Sequence, residues 1–82
     1  MSGRVQGVFF RDSCQRVAAQ AGVNGWVRNR PDGLVEAWLE GDEAAVERVI
    51  EWCRVGPRHA LVTAVDVEIC QPEGLRSFRI RA

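Results

Sequence analysis

The apolar positions along this chain change period several times, and each change marks an element. Cys14, Val17, Ala18 and Ala21 fall at i, i+3, i+4 and i+7, which predicts a helix over about Phe10 to Ala21. Gly22 suits the end of that helix, since glycine takes the left-handed conformation at no steric cost. Val35, Ala37 and Leu39 then alternate with Glu36, Trp38 and Glu40, the period of a strand with one apolar and one mixed face. Strands are therefore expected over Val23 to Asn29 and Leu34 to Glu40, joined by the turn residues Arg30-Pro31-Asp32-Gly33.

The helical period returns at Val46, Val49, Ile50 and Cys53, a second helix over about Glu43 to Arg54 with Asp42 as N-cap and Gly56-Pro57 as its stop. A strand is expected over Leu61 to Ile69, where Val65, Val67 and Ile69 alternate with Asp66 and Glu68. A turn at Pro72 to Gly74 leads to a last strand over Ser77 to Arg81. The order predicts an α+β sandwich with two helices on one face of an antiparallel sheet, as one domain over residues 1–82. A complete βαββαβ order needs a strand before Gly3, where the chain has only Met1 and Ser2. The first strand is expected to be missing or truncated.

Charge and composition narrow the function. Eleven basic residues balance eleven acidic ones, so the excess positive charge that drives duplex binding is lacking. All the basic residues are arginine; coding bias accounts for this as readily as phosphate recognition does. No apolar run reaches the ~20 residues of a membrane span and no signal-peptide layout is present, so a cytoplasmic protein is the expectation. Cys14, Cys53 and Cys70 are widely spaced and His59 is the only histidine. A structural zinc site takes about four clustered ligands, so no metal and no cofactor is expected.

The stretch Gly3-Arg4-Val5-Gln6-Gly7-Val8-Phe9-Phe10-Arg11 runs from a glycine-bounded loop into a helix start. Two glycines allow backbone N–H groups to converge, and a helix N-terminus adds partial positive charge. Arg11 in the first turn adds a two-pronged donor. The stretch is neither a P-loop nor a G-x-G-x-x-G fingerprint. On these grounds alone it is either an anion nest or an ordinary turn.

Gly3 to Arg11 resembles the G-x-V-Q-G-V-x-F-R signature of the acylphosphatase family. Gly25-Trp26-Val27-Arg28-Asn29, followed by Asp32-Gly33 and Val35-Glu36, is similar to that family's G-W-V-x-N-x-x-D-G-x-V-E. The Gly56-Pro57 junction and the closing Phe78-Arg79-Ile80-Arg81 extend the likeness over nearly the whole chain. The resemblance implies a ferredoxin-like βαββαβ fold and metal-independent hydrolysis of acyl phosphates. It implies that Arg11 and the backbone of Arg4, Val5, Gln6, Gly7, Val8 and Phe9 bind the substrate phosphate, and that Asn29 orients the attacking water. The partner would be a small-molecule acyl phosphate, and the chain a monomer unless strand exchange makes up for the first strand. The alternative is a non-catalytic acylphosphatase-like module that binds anions or partners.

Three other features point elsewhere and are set aside. Cys70 to Ser77 fits the C-x5-R-[ST] spacing of cysteine phosphatases, but the following residues alternate like a strand and Glu73 would repel phosphate. Trp26 and Trp38 suit base stacking, yet RNP motifs are absent and acidic residues share their face. His59 reads as a satisfied or exposed loop residue.

Overall fold

The computed structural model describes residues 1–7 and 9–81. In chain order these form β1 (Ser2–Arg4), α1 (Phe10–Ala21), β2 (Asn24–Asn29), β3 (Val35–Glu40), α2 (Glu43–Val55), β4 (Leu61–Ala64) and β5 (Phe78–Arg81). Strand β3 pairs antiparallel with β2, β1 pairs antiparallel with β4, and β2 pairs in parallel with β5. The β2–β5 pair is thus parallel in a sheet expected to be antiparallel. The chain crosses from β4 to the far edge over residues 65–77 and enters β5 in the direction of β2.

The leading strand, expected to be missing or truncated, is present over Ser2–Arg4 and overlaps the start of the glycine-bounded stretch. It lies between β4 and β3. Val35 donates its N–H to the Met1 carbonyl at 3.0 Å and its own carbonyl accepts the Met1 ammonium at 2.6 Å. Among the described residues this pair joins β4-β1 to β3-β2-β5. Gly3, expected in the phosphate loop, lies instead at an irregularity in the β1–β4 register, with φ +108°. A Cβ there would stand 1.9 Å from the Leu61 carbonyl oxygen, so the close approach of β4 requires glycine.

The core fills between the sheet and the two helices. Cys14 and Ala18 of α1, Val49 and Cys53 of α2, and Val27 and Val35 of the sheet are buried together, with Phe10 closing one end. The Phe10 ring meets Trp52 at 5.2 Å between centroids, tilted by 56°. Helix α1 ends as expected, with Gly22 left-handed and its N–H on the Ala18 and Ala19 carbonyls. Asp42 occupies the N-cap position of α2 through its carbonyl, which accepts the Val46 N–H at 2.9 Å, while its side chain makes no capping bond.

The strand expected over Leu61 to Ile69 stops at Ala64, because pairing with β1 ends there. Residues 65–76 have no regular secondary structure, and Ile69 is 97% exposed. Glu40 holds the end of this connection. Its carboxylate accepts the N–H groups of Glu73 (2.6 Å), Gly74 (3.1 Å) and Leu75 (3.0 Å), together with the Trp38 indole N–H at 2.6 Å. On the sheet face away from the core Trp26 and Trp38 stack with centroids 6.4 Å apart, and the Arg81 guanidinium lies 4.8 Å from the Trp26 ring. The two tryptophans are therefore packed against each other and against neighbouring side-chain stems.

Candidate active site

The motif residues meet where α1 begins and β2 ends. Phe10 is buried and anchors the first turn of α1, so the next residue, Arg11, stands at the rim, half-buried. Along β2, Gly25 and Val27 face the core. The period of two puts Asn29 on that same face, at its open end beside α1, and sends Arg28 to the other face. Val5, Gly7, Phe9, Phe10, Arg11, Asp12 and Asn29 line one cleft of about 220 Å³. Arg11 and Asn29, distant in sequence, are its cation and its carboxamide.

The loop is shaped by backbone conformation at two residues. Gly7 has φ +74°, and Phe9, at the N-cap position of α1, has φ 60° and ψ 28°. Phe9 is the only non-glycine residue with positive φ among those described, and such outliers concentrate at functional sites. No side chain caps α1. Its first N–H groups, which have no partner within the helix, are left at the cleft with the positive end of the helix dipole.

Gln6 fixes where the loop lies. Its side-chain amide donates to the Arg30 carbonyl at 2.8 Å and to the Leu34 carbonyl at 3.0 Å. These two carbonyls belong to the β2–β3 turn, itself closed by Arg30 N–H to Leu34 O at 2.8 Å and Gly33 N–H to Arg30 O at 3.1 Å. Asp32 completes the turn by accepting the Leu34 N–H and pairing with Arg30. Asn29 immediately precedes this turn. Gln6 thus sets the loop before α1 and the Asn29 strand end in one frame.

The remaining expected site residues fall as follows. Val5 lines the cleft and is fully buried, while Arg4 lies on β1 opposite Leu61 and is not part of the lining. Val8 lies outside the described residues. Asp12, which sequence reading passed over, also lines the cleft. As an acidic residue in a first helical turn it reads from sequence as a dipole partner only. Among the described residues Arg11 has no ion-pair partner, so its guanidinium is available to an anion.

A larger open groove of about 710 Å³ runs between α1 and the start of β5, lined by residues such as Gln15, Arg16, Asn24 and Phe78. It includes neither Arg11 nor Asn29. The cysteine-phosphatase reading of Cys70 to Ser77 fails on geometry. The N–H groups of residues 73–75 already serve the Glu40 carboxylate, and β5 follows where that chemistry needs a helix. His59 is an exposed residue of the α2–β4 connection.

Fold and cleft together define a small α+β domain that offers an anion a loop, a helix N-terminus and an arginine, with a carboxamide beside them. The chain belongs to the acylphosphatase family, whose sequence profile, described as Acylphosphatase, matches residues 1–80. It is 54% identical over 83 residues to an acylphosphatase of Rubrobacter xylanophilus, covering 99% of this chain and 74% of that one. The structure superposes on the crystal structure of acylphosphatase from Bacillus subtilis with a TM-score of 0.93 at 39% identity, covering 99% and 91% of the two chains. It matches an acylphosphatase from Coxiella burnetii with a TM-score of 0.94 at 39% identity, covering 98% and 84%. The family hydrolyses acyl phosphates. No helix among the described residues is long and apolar enough to cross a membrane.

Proposed function

We propose that this protein hydrolyses the carboxyl–phosphate bond of small-molecule acyl phosphates, with Arg11 and the loop ending at Phe9 holding the phosphate and Asn29 holding the water. The observation that carries this reading is the convergence of Gly7, Phe9, Arg11 and Asn29 on one cleft. The guanidinium and the N–H groups at the loop and helix start receive the equatorial oxygens, where charge collects in a loose phosphoryl-transfer transition state. The Asn29 carboxamide has one acceptor and two donors, enough to orient a water for in-line attack. The new P–O bond forms as the bond to the acyl oxygen breaks, and the electron pair leaves with the carboxylate. The water's proton passes to a phosphate oxygen.

A carboxylate leaving group has a conjugate-acid pKa of roughly 4, so no general acid is required near neutrality. This fits a cleft that, among the described residues, holds neither histidine nor cysteine. The reading takes the chain as a cytoplasmic monomer acting without metal or nucleic acid. Ultraviolet-monitored hydrolysis of benzoyl phosphate, with chelator present, tests it. Arg11→Ala and Asn29→Ala are each expected to lower kcat by about 10²–10³ while circular dichroism stays native, the scale set by one preorganised oxyanion donor. Near-wild-type turnover in either variant removes that residue from its role, and activity that depends on added metal overturns the mechanism.

A further inference from the structure

Once Arg11, Asn29 and the backbone donors are committed to phosphate and water, the acyl group must lie against what remains of the cleft wall. Among the described residues three apolar ones line it, but Val5 and Phe10 are 1% and 2% exposed and have no surface to offer. Phe9 is 78% exposed. It is the large apolar side chain on this wall that is open to solvent, and its backbone is held left-handed, a conformation disfavoured for a bulky residue. Asp12 is the other described wall residue whose side chain is exposed, and it is an anion.

We infer that Phe9 and Asp12 form the acyl-selecting rim of the cleft, favouring uncharged apolar acyl groups, aromatic ones above all, and disfavouring acyl groups that carry a second negative charge. This inference rests on the acyl phosphate hydrolysis proposed above. A planar acyl group gains contact with the Phe9 ring that a methyl group is too small to make. A carboxylate on the acyl chain faces the Asp12 carboxylate across the same cleft, a repulsion that salt weakens because the rim is exposed.

The test compares kcat/KM for benzoyl, acetyl and succinyl phosphate in the wild type, Phe9→Ala, Phe9→Asn and Asp12→Asn. Phe9→Ala is expected to lower the benzoyl-to-acetyl ratio by about three- to tenfold. Phe9→Asn, whose side chain tolerates the left-handed backbone, is expected to lower it equally and supplies the ratio if Phe9→Ala no longer turns over. Asp12→Asn is expected to raise the succinyl-to-acetyl ratio by about two- to fivefold at low salt, with the gain fading at high salt. A benzoyl-to-acetyl ratio within twofold of wild type in both Phe9 variants overturns the role of Phe9. An unchanged succinyl-to-acetyl ratio overturns that of Asp12. Wild-type protein that hydrolyses none of the three refutes the parent function instead, a result distinct from active enzyme with unaltered ratios.

Discussion

Gln6→Met removes both donors that tie the loop before α1 to the β2–β3 turn while nearly preserving side-chain length and adding no charge. The two bonds, at 2.8 and 3.0 Å, contribute about 0.5–1.5 kcal/mol each. The sum falls in the lower part of that range, because neither carbonyl is orphaned. Arg30 O keeps the Gly33 N–H and Leu34 O keeps the Arg30 N–H. A loss of about 1–2 kcal/mol follows, and at about 4–8 °C per kcal/mol for a domain of this size the midpoint should drop by roughly 5–15 °C. The functional effect should be larger than the stability effect suggests. A displacement of about 1 Å between loop and Asn29 can cost up to 10²-fold, so kcat/KM for benzoyl phosphate should fall by about 10- to 100-fold well below the midpoint. Thermal denaturation and steady-state hydrolysis measure the two quantities. A lowered midpoint with unchanged kcat/KM means that Gln6 stabilises the loop without positioning it, and no change in either refutes the tether altogether.

Gly25→Ala places a Cβ 1.7 Å from the Trp38 carbonyl oxygen at a residue with φ +146°, so β2 and β3 must separate. A loss of about 3 kcal/mol or more is expected, read as a lowered urea midpoint with activity lost in proportion to the unfolded fraction. The Glu40 carboxyl is held below the usual carboxylate range, first by the Glu73 N–H and then by the Trp38 indole and the Leu75 and Gly74 N–H groups. Its folded value lies below its unfolded one. The stability it contributes is therefore present above the unfolded pKa and lost as pH falls through the folded one. Urea midpoints from pH 6 down to 3 should fall more steeply in the wild type than in Glu40→Gln, and parallel acid limbs would refute the tether at residues 73–75. Cys14 and Cys53 are buried and Cys70 is exposed. A hydrogen bond with Cys53 and burial push the Cys14 thiol well above its ordinary value. Alkylation should label only Cys70 in native protein and all three thiols in denaturant, leaving hydrolysis intact. Inactivation paralleling Cys70 labelling would return that residue to the chemistry.

Two features were legible in the chain itself because they depend on local periodicity and local sterics. The 3.6-residue stripes of Cys14–Ala21 and Val46–Cys53 and the alternation through Val35–Leu39 placed the helices and the β2–β3 hairpin within a residue or two. The motif residues Arg11 and Asn29 were likewise readable from sequence resemblance. Their meeting in one cleft was a matter of tertiary structure. Asn29 faces α1 because β2 carries the core face of Val27 to its end, and α1 starts there because Phe10 is buried against Trp52.

Pairing decided the rest. Alternation over Val65–Ile69 suggested strand, but a strand needs a hydrogen-bonded neighbour, and β1 runs alongside only as far as Ala64. The parallel direction of β5, the short β1 and the placement of Gly3 at a β4 contact follow from which backbone lies beside which, and alternation in one segment says nothing of its neighbour. The same holds for the side chains of Gln6, Glu40 and Asp12, whose partners no local pattern shows. Each acquires its task only from long-range contact: Gln6 from two carbonyls of a distant turn, Glu40 from three N–H groups of a distant loop, and Asp12 from the cleft that folding opens beside it.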